Sequence, residues 1–288
     1  MRNRKIILAI AGFLFVLNIF CWHEVFAIAD NQDLKVEFFD VGQGDSAFVR
    51  TPENHQILID GGPGSAVLSK LAENMPFWDR TLDLVILSHP ESDHMQGLLE
   101  VLKRYKADYI LWTGVKKTAP EYDAWLSVLE KQKKMGAQII IASANQKITA
   151  GNLEIDTLYP LKSLEGQELK ASANYTCVVS KLIYGNTDFL FTGDISFDAE
   201  KELVGNGTSL VSDVLKIAHH GSKYSTSEGF LGAVSPEIAV ISVGKDNTYG
   251  HPTPEVLSRL DNMGVQTLRT DQNGDITILS NGNKIYLK

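Results

Sequence analysis

The sequence predicts one α/β domain built from two sheets that are covered by helices. The first observation is a set of four short β-rich runs near the start of the chain, at 35–40, 46–50, 56–60 and 82–88, which glycine-containing turns separate. The second is an alternation of strand and helix patterns in the middle of the chain and again near its end. Between these alternations, hairpin patterns with Gly-Asn turns fill residues 147–193. No linker composition divides the chain, so its two halves are expected to pack as a single domain.

Helical spacing appears in MQGLLEVLKRY at 95–105 and in EYDAWLSVLEKQKK at 121–134. A short apolar run lies between these two segments and another follows them, and both predict strands. Near the C-terminus, Pro254 after Thr253 is typical of the first turn of a helix. The last residues, GDITILSNGNKIYLK, predict a hairpin that turns at SNGN.

Residues 1–29 differ in composition from the rest of the chain. Three basic residues precede the apolar run IILAIAGFLFVLNIF, and small residues end the stretch. This order is typical of a secretory signal peptide. The apolar run through Trp22 is also near the lower limit for spanning a bilayer, so an uncleaved anchor with a membrane tether at residues 6–22 is the alternative. In both cases residues 30–288 form the predicted folded domain, secreted or held at the outer face of the cytoplasmic membrane.

The chain is acidic, with a formal net charge of −8. Loss of residues 1–29 would remove three basic residues and one acidic residue and leave a net charge of −10. A stable nucleic-acid partner is therefore not expected, although bound divalent cations would offset the charge locally and permit chemistry on a phosphodiester. Cys177 would be the one cysteine left after cleavage, and its apolar surroundings predict a thiol in the core.

Acidic and imidazole side chains recur where the apolar strand patterns end, which is where α/β scaffolds present functional loops. These residues are Asp40, Asp60, His89, Asp194 and His219. Taken singly, several of them fit a structural role: Asp60 precedes two glycines of a turn, and Asp93 fits a helix cap. Capping does not explain His89 and His94, which flank Asp93.

Imidazoles mixed with carboxylates bind divalent metals. A two-metal site lowers the pKa of water, so that hydroxide forms near neutral pH. The combination of residue types therefore predicts metal-dependent hydrolysis.

Six motifs in order resemble the metallo-β-lactamase-fold hydrolase domain of the ComEC competence-protein family. They are DVGQGDS (40–46), LIDGG (58–62), SHPESDH (88–94), FTGD (191–194), KIAHHGS (216–222) and YGHPTPE (249–255). The ordered set is specific although each motif alone is only moderately so. The resemblance covers roughly residues 35–285 and implies an αββα sandwich with metals between the sheet edges.

The resemblance also implies a ligand set for one or two divalent ions. The implied ligands are His89, Glu91, Asp93, His94, Asp194 and His219. His89 and Glu91 would belong to one metal site and Asp93 and His94 to the other. Asp194 would bridge the two sites, and the imidazole of residue 219 would complete the second.

Further positions match family residues that act around the metals. Asp40 and Asp60 match positions that orient the ligands from behind. His220, Ser222 and His251 match positions near the substrate, as phosphate contacts or as the proton donor to the leaving group. The predicted catalytic residues are Asp93, Asp194, His220 and His251.

Two of these assignments have alternatives. His220 could be the metal ligand in place of its neighbour His219, which the resemblance favours. His251 precedes Pro252 and could serve only to shape a turn.

The chain departs from the family pattern at the first metal site. Glu91 stands where the broad superfamily has His and the ComEC group usually has Asp. The superfamily's third His is also missing, since no His occurs between residues 94 and 219. Asn174 falls in the matching segment and could compensate through its amide oxygen. The predicted ligands suit Mn²⁺ as well as Zn²⁺.

The resulting expectation is an exported phosphodiesterase or nuclease that acts on DNA or another phosphodiester through metal-bound hydroxide. One alternative is an esterase of cell-envelope phosphoesters of the phosphocholine type, because such enzymes also have an acidic residue at the position of Glu91. A further alternative is a non-catalytic binding module that retains the fold.

Overall fold

The computed structural model of the chain describes residues 2–29, 33–169 and 173–288. An N-terminal helix, α1 (Arg2–Ala29), precedes the domain. Its segment Arg4–Trp22 is long and apolar enough to cross a membrane, and none of it is buried against the protein. A signal sequence and an anchor share these properties, so both predictions remain. The predicted boundary after residue 29 falls beside residues 30–32, which lie outside the described residues.

The domain contains two sheets and seven further helices among the described residues. The strands are β1 (Leu34–Phe38), β2 (Ala47–Arg50), β3 (Gln56–Ile59), β4 (Thr81–Ile86), β5 (Lys106–Trp112), β6 (Gln138–Ile141), β7 (Gln146–Ala150), β8 (Leu153–Tyr159), β9 (Val179–Tyr184), β10 (Thr187–Phe191), β11 (Val214–Lys216), β12 (Ile238–Ile241), β13 (Gln266–Arg269), β14 (Ile276–Ser280) and β15 (Ile285–Leu287). The helices are α2 (Ala66–Asn74), α3 (Ser92–Leu102), α4 (Pro120–Lys134), α5 (Phe197–Gly205), α6 (Glu228–Val234), α7 (Pro254–Asn262) and α8 (Thr270–Asn273).

The first sheet has the strand order β15-β14-β1-β2-β3-β4-β5-β6, and the second has the order β13-β12-β11-β10-β9-β8-β7. The predicted hairpins account for the antiparallel pairs β7-β8, β9-β10 and β14-β15. The β3-β4-β5-β6 and β10-β11-β12-β13 blocks are parallel, as expected where helices connect successive strands.

The two sheets pack face to face around a shared apolar layer. It includes Val36, Phe38 and Leu84 from the first sheet and Phe189 and Val240 from the second. Another apolar layer separates the first sheet from α2, α3 and α4, and a third separates the second sheet from α5, α6 and α7. Helices therefore cover both outer faces, and the predicted αββα sandwich is confirmed.

Helix α3 begins earlier than its apolar spacing predicts, at Ser92 rather than at residue 95. Its N-cap residue, Glu91, has extended backbone angles, and the chain turns into the helix directly after it. Asp93 and His94 therefore lie in the first helical turn and not in the loop. This position fixes their directions relative to the helix axis, which a loop would not do.

Helix α3 rests directly on the loop that follows β3. The Gly61 N–H donates to the His94 carbonyl at 2.8 Å, and the Gly97 N–H donates to the Gly62 carbonyl at 2.9 Å. A Cβ atom added at Gly97 would lie 1.8 Å from the Gly61 carbonyl oxygen, and one added at Gly61 would lie 2.3 Å from the Leu98 nitrogen. Only glycine permits this contact, so the loop and the helix are held at a fixed separation.

Substitution of Gly97 by alanine should separate the two elements, because backbone atoms on the other side cannot move aside as a side chain would. We expect Gly97→Ala to lower the free energy of unfolding by about 3 kcal/mol, measured by denaturant titration. Gly232→Ala is the matched control: Gly232 lies inside α6 and has no atom within 4 Å of an added Cβ. That change should leave stability unchanged or raise it by up to ~1 kcal/mol. Equal effects of the two substitutions would contradict the close-contact interpretation.

Candidate metal centre

The predicted site residues follow strands of both sheets. Asp60 follows β3, His89 follows β4, Asp194 follows β10, and His219 and His220 follow β11. The carboxyl ends of parallel strands lie at one edge of a sheet. Because the sheets face each other, side chains from both edges converge in the space between them.

Four side chains form a compact group at this point. Asp93, His94, Asp194 and His220 each offer one ligand atom, and all four atoms lie within 4.8 Å of one another. His94 Nε2 is 3.3 Å from Asp194 Oδ1, and His220 Nε2 is 3.2 Å from Asp93 Oδ2 and 3.6 Å from Asp194 Oδ2. Ligand atoms around a tetrahedral ion with bonds of 2.0–2.1 Å are about 3.3 Å apart. The observed separations are close to that value.

The ring of His94 is oriented by Asp60. His94 Nδ1 lies 2.8 Å from Asp60 Oδ2, and this carboxylate also accepts hydrogen bonds from the backbone N–H and the hydroxyl of Ser88 at 2.7 and 2.6 Å. A proton on Nδ1 leaves the Nε2 lone pair free to face Asp194. The structure thus places Asp60 behind a candidate ligand, where the resemblance predicts it.

The two adjacent histidines after β11 point in different directions. Both have positive φ angles, 51° at His219 and 53° at His220, so the chain makes a left-handed turn there. The side chain of His220 is 2% exposed and that of His219 is 34% exposed. His220 Nδ1 lies 2.9 Å from the Ser242 carbonyl, which directs Nε2 into the cluster.

This geometry favours His220 over His219 as a metal ligand, contrary to the preference drawn from the resemblance. His219 Nε2 is 3.9 Å from Asp194 Oδ2 and lies outside the compact group. The physical reason is the pair of left-handed residues, which a motif of two adjacent histidines does not reveal.

The carboxylates favour positive charge on both imidazoles of the group. Burial alone would lower the pKa of His220, but Asp194 and Asp45 outweigh it and raise that pKa to about 10. Burial is likewise outweighed at His94, whose pKa Asp194 and Asp60 raise well above the usual value. Burial would raise the pKa of Asp194, yet His220 and His94 hold it well below its usual range. The group therefore has a strong requirement for cationic charge.

These residues fit a divalent metal ion. Three buried atoms beside the cluster lack a hydrogen-bond partner among the described residues: His89 Nε2, His94 Nε2 and Asp194 Oδ1. Buried polar atoms without a partner are unfavourable, and a cation in the cluster would satisfy those of His94 and Asp194. Two imidazoles and two carboxylates are also a donor set that Zn²⁺ and Mn²⁺ accept. Asp93, His94, Asp194 and His220 would hold the ion.

An ion pair that the sequence motifs do not reveal lies beneath the cluster. Lys216 Nζ lies 2.6 Å from Asp45 Oδ2, and Asp45 Oδ1 lies 3.2 Å from His220 Nδ1. Burial would raise the pKa of Asp45, but Lys216, His220 and His94 together hold it below its usual range. Both residues stand in the quoted motifs DVGQGDS and KIAHHGS, but Asp45 there fits an ordinary turn and Lys216 a strand end.

The two predicted ligands of the first metal site are placed differently from each other. His89 is buried, with Nε2 4.0 Å from Asp194 Oδ2. Burial and the nearby charge of His94 lower its pKa to about 3, so its ring stays neutral and able to bind a metal. Glu91 instead pairs with Lys117 at 2.7 Å, and the Lys117 ammonium also donates to the Pro90 carbonyl at 2.9 Å. The structure does not bring the Glu91 carboxylate into the cluster.

Three other predicted residues make contacts outside the cluster. Asn174 is beside His219, with its amide nitrogen 3.3 Å from Nδ1 of that ring. The carboxylate of Asp40 accepts the Gly42 N–H at 3.2 Å, and the hydroxyl of Ser222 accepts the Tyr224 N–H at 3.4 Å, so both support turns.

His251 is half-buried, and its ring centre lies 5.7 Å from that of His219. Its Nδ1 is buried without a hydrogen-bond partner in the described part of the chain. Burial, with His219 and His220, lowers the pKa of His251. The ring stands beside His219, at the exposed side of the cluster.

A sequence profile described as "Beta-lactamase superfamily domain" matches residues 55–220, which is more than half of the chain. The protein belongs to this superfamily. The matched region contains all four residues of the cluster and Asp60. Together with the donor geometry, this membership identifies the protein as a metal-dependent hydrolase of the metallo-β-lactamase fold.

Two further proteins are similar over most of this chain. ComE operon protein 3 of Bacillus subtilis is 32% identical over 259 residues, covering 84% of this chain and 32% of that protein. Competence protein ComA of Neisseria gonorrhoeae is 34% identical over 250 residues, covering 86% of this chain and 32% of that protein. This chain thus spans about a third of the length of these relatives, and the resemblance to the ComEC family is confirmed.

Solved structures share the fold at lower identity. The metallo-β-lactamase fold protein YhfI from Bacillus subtilis has a TM-score of 0.54 at 16% identity, covering 86% of this chain and all of that chain. A long form RNase Z from yeast has a TM-score of 0.53 at 13% identity, covering 85% of this chain and 42% of that chain. These similarities support the fold alone.

The contact between Asp60 and His94 should strengthen metal binding by this superfamily member. We expect Asp60→Asn to weaken the affinity for Zn²⁺ or Mn²⁺ by about 10–100-fold, because the carboxylate no longer fixes and polarises the ring. Competition against a chromophoric chelator measures the affinity. Asp83→Asn is the matched control, since Asp83 pairs with the half-exposed ring of His55 at 3.0 Å. An unchanged affinity in Asp60→Asn would exclude the orienting role.

Proposed function

We propose that the protein is an extracytoplasmic, metal-dependent phosphodiesterase, with DNA or another nucleic acid as its first substrate class. The observation that carries this proposal is the compact, largely buried group of two imidazoles and two carboxylates, Asp93, His94, Asp194 and His220. The similarity to a protein named for competence and to a ComE operon protein supports the choice of substrate class. The apolar N-terminal helix supports a location outside the cytoplasm.

A divalent ion held by the cluster supplies activation of water and stabilisation of the negative charge that develops on phosphate oxygens. The residues of the chain set the conditions for that chemistry. Asp60 and the Ser242 carbonyl hold the Nδ1 atoms of His94 and His220, so the Nε2 atoms of both rings face the cluster that would hold the ion. Lys216 neutralises Asp45 below the cluster, so the field of that carboxylate does not oppose an anionic substrate.

His219 and His251 are suited to contact the substrate. Their rings lie on the exposed side of the cluster, 5.7 Å apart, where a phosphodiester would enter. The lowered pKa of His251 keeps its ring neutral near pH 7. A neutral ring has one N–H donor and one acceptor nitrogen, so it can donate a hydrogen bond to a phosphate oxygen or accept the proton of an attacking water.

The envelope-esterase alternative has less support than nucleic-acid cleavage. It depends on an acidic residue at position 91, and the Glu91 carboxylate is engaged by Lys117. The non-catalytic alternative depends on a poor metal site, whereas the cluster fits an ion. Both alternatives are retained as outcomes of the activity test.

The purified protein with Mn²⁺ or Zn²⁺ should hydrolyse bis-p-nitrophenyl phosphate and single- or double-stranded DNA. His220→Gln should lower kcat/KM by more than about 100-fold, because it removes a metal contact. His219→Gln, the adjacent control, should lower it by less than about tenfold and act mainly on KM, as a substrate contact would.

The measurements are kinetics on the small diester and gel-based cleavage of DNA. Cleavage of the diester without any cleavage of nucleic acid would transfer the proposal to an envelope substrate. Bound metal without turnover on any substrate would favour the binding module. A larger loss in His219→Gln than in His220→Gln would reverse the two roles.

A further inference from the structure

The metal centre lies at the edge of the first sheet where β1, β3 and β4 end. The strand directions show which residues lie at the opposite edge, where these strands start. β1 is antiparallel to β2, β2 is antiparallel to β3, and β3 is parallel to β4. β1, β3 and β4 therefore run in the same direction. Their ends lead to the metal centre, so their starts lie together at the other edge.

An exposed aromatic pair lies at that opposite edge. Phe77 and Trp78 come shortly before β4, and their side chains are 74% and 53% exposed. Their ring centres are 4.8 Å apart in an edge-to-face arrangement. Asn74, at the end of α2, contacts Lys35 at the start of β1 and Arg50 at the end of β2, which fixes this loop at the edge.

The aromatic pair also contacts the N-terminal helix. The ring centres of Phe20 and Trp78 lie 6.3 Å apart. Phe20 belongs to the last turn of the apolar segment Arg4–Trp22. If that segment spans a bilayer, Trp78 is at the level where the hydrocarbon ends, which is the depth that tryptophan prefers.

Basic side chains surround the same edge. The end of helix α4 lies beside the start of β5, where the Ala107 N–H donates to the Gln132 side chain at 3.0 Å. The last turn of α4 carries Lys131, Lys133 and Lys134, and all three are exposed. This local positive charge contrasts with the acidic chain as a whole, and it would attract anionic lipid headgroups.

We propose that this edge is a membrane-contact face, formed by Phe77, Trp78 and the lysines at the end of α4, and that it rests on a lipid bilayer. The metal centre then faces away from that bilayer. The six residues of β4 separate the two edges by about 20 Å. Substrate reaches the centre from the aqueous side, and lipid headgroups of the same membrane do not. This orientation does not depend on which bond the centre cleaves.

Quenching of tryptophan fluorescence by brominated lipids tests the orientation in the full chain, reconstituted in nanodiscs. A Trp22→Phe background leaves Trp78 with Trp112 and Trp125, which are 5% and 0% exposed. We expect a loss of emission that is largest when the bromines lie near the headgroups. The loss should disappear in Trp78→Phe.

The matched control moves the probe to the other edge. Tyr249 is 71% exposed and its ring stacks on His251 beside the metal centre. Tyr249→Trp combined with Trp78→Phe should show no quenching by any brominated lipid. Replacement of the three lysines of α4 by glutamine should reduce the quenching of Trp78 in discs that contain phosphatidylglycerol.

Three results would overturn the proposal. Equal quenching of the probes at Trp78 and at residue 249 would exclude a preferred orientation. If Trp78 is not quenched by brominated lipids in discs that contain a dimer of the chain, the face contacts a second copy and not the bilayer. Unchanged quenching in the glutamine variant would exclude the lysines from the face.

Discussion

Three carboxylates, those of Asp45, Asp60 and Asp194, are buried together between the edges of the two sheets. The arrangement of the site follows from the requirement to balance their negative charges. A buried carboxylate without a partner is strongly unfavourable, so each requires a cation or several hydrogen bonds. Lys216 compensates Asp45, and His94 and Ser88 compensate Asp60. Asp194 lies between the two imidazoles, and a divalent ion would balance the negative charge of its carboxylate.

The backbone around the cluster is built to maintain these distances. Gly61 and Gly97 allow α3 to touch the loop that carries Asp60, which sets the separation between that carboxylate and His94. Gly44 allows the following Asp45 to lie against the carbonyl of Asp93, since a Cβ there would be 2.2 Å from that oxygen. Asp60, His219 and His220 all have positive φ. Left-handed backbone at residues other than glycine is unfavourable and is often found at functional sites.

The sequence predicts the architecture and the strand ends at which several candidate residues lie. Strand patterns that end in Asp60, His89 and Asp194 place these residues correctly, because the ends of parallel strands share an edge. The αββα arrangement follows from the order of elements together with the family motifs. These features depend on local periodicity, which is visible in a single sequence.

The remaining features depend on contacts between distant segments. Which of His219 and His220 enters the cluster depends on the sign of φ, and residue identity does not determine that sign. The pairing of Asp45 with Lys216 joins two motifs that lie far apart in the chain. Glu91 is chemically suited to bind a metal, and only the position of Lys117 shows that its carboxylate is otherwise engaged.

The ligand set of the cluster determines the roles of the residues around it. Anomalous diffraction from crystals of the protein grown with Zn²⁺ or Mn²⁺ tests it directly. We expect an anomalous peak about 2.0–2.2 Å from His94 Nε2, His220 Nε2 and a carboxylate oxygen of Asp194. A peak coordinated by His219 while the His220 ring is turned away, or no peak at this cluster, would contradict the account.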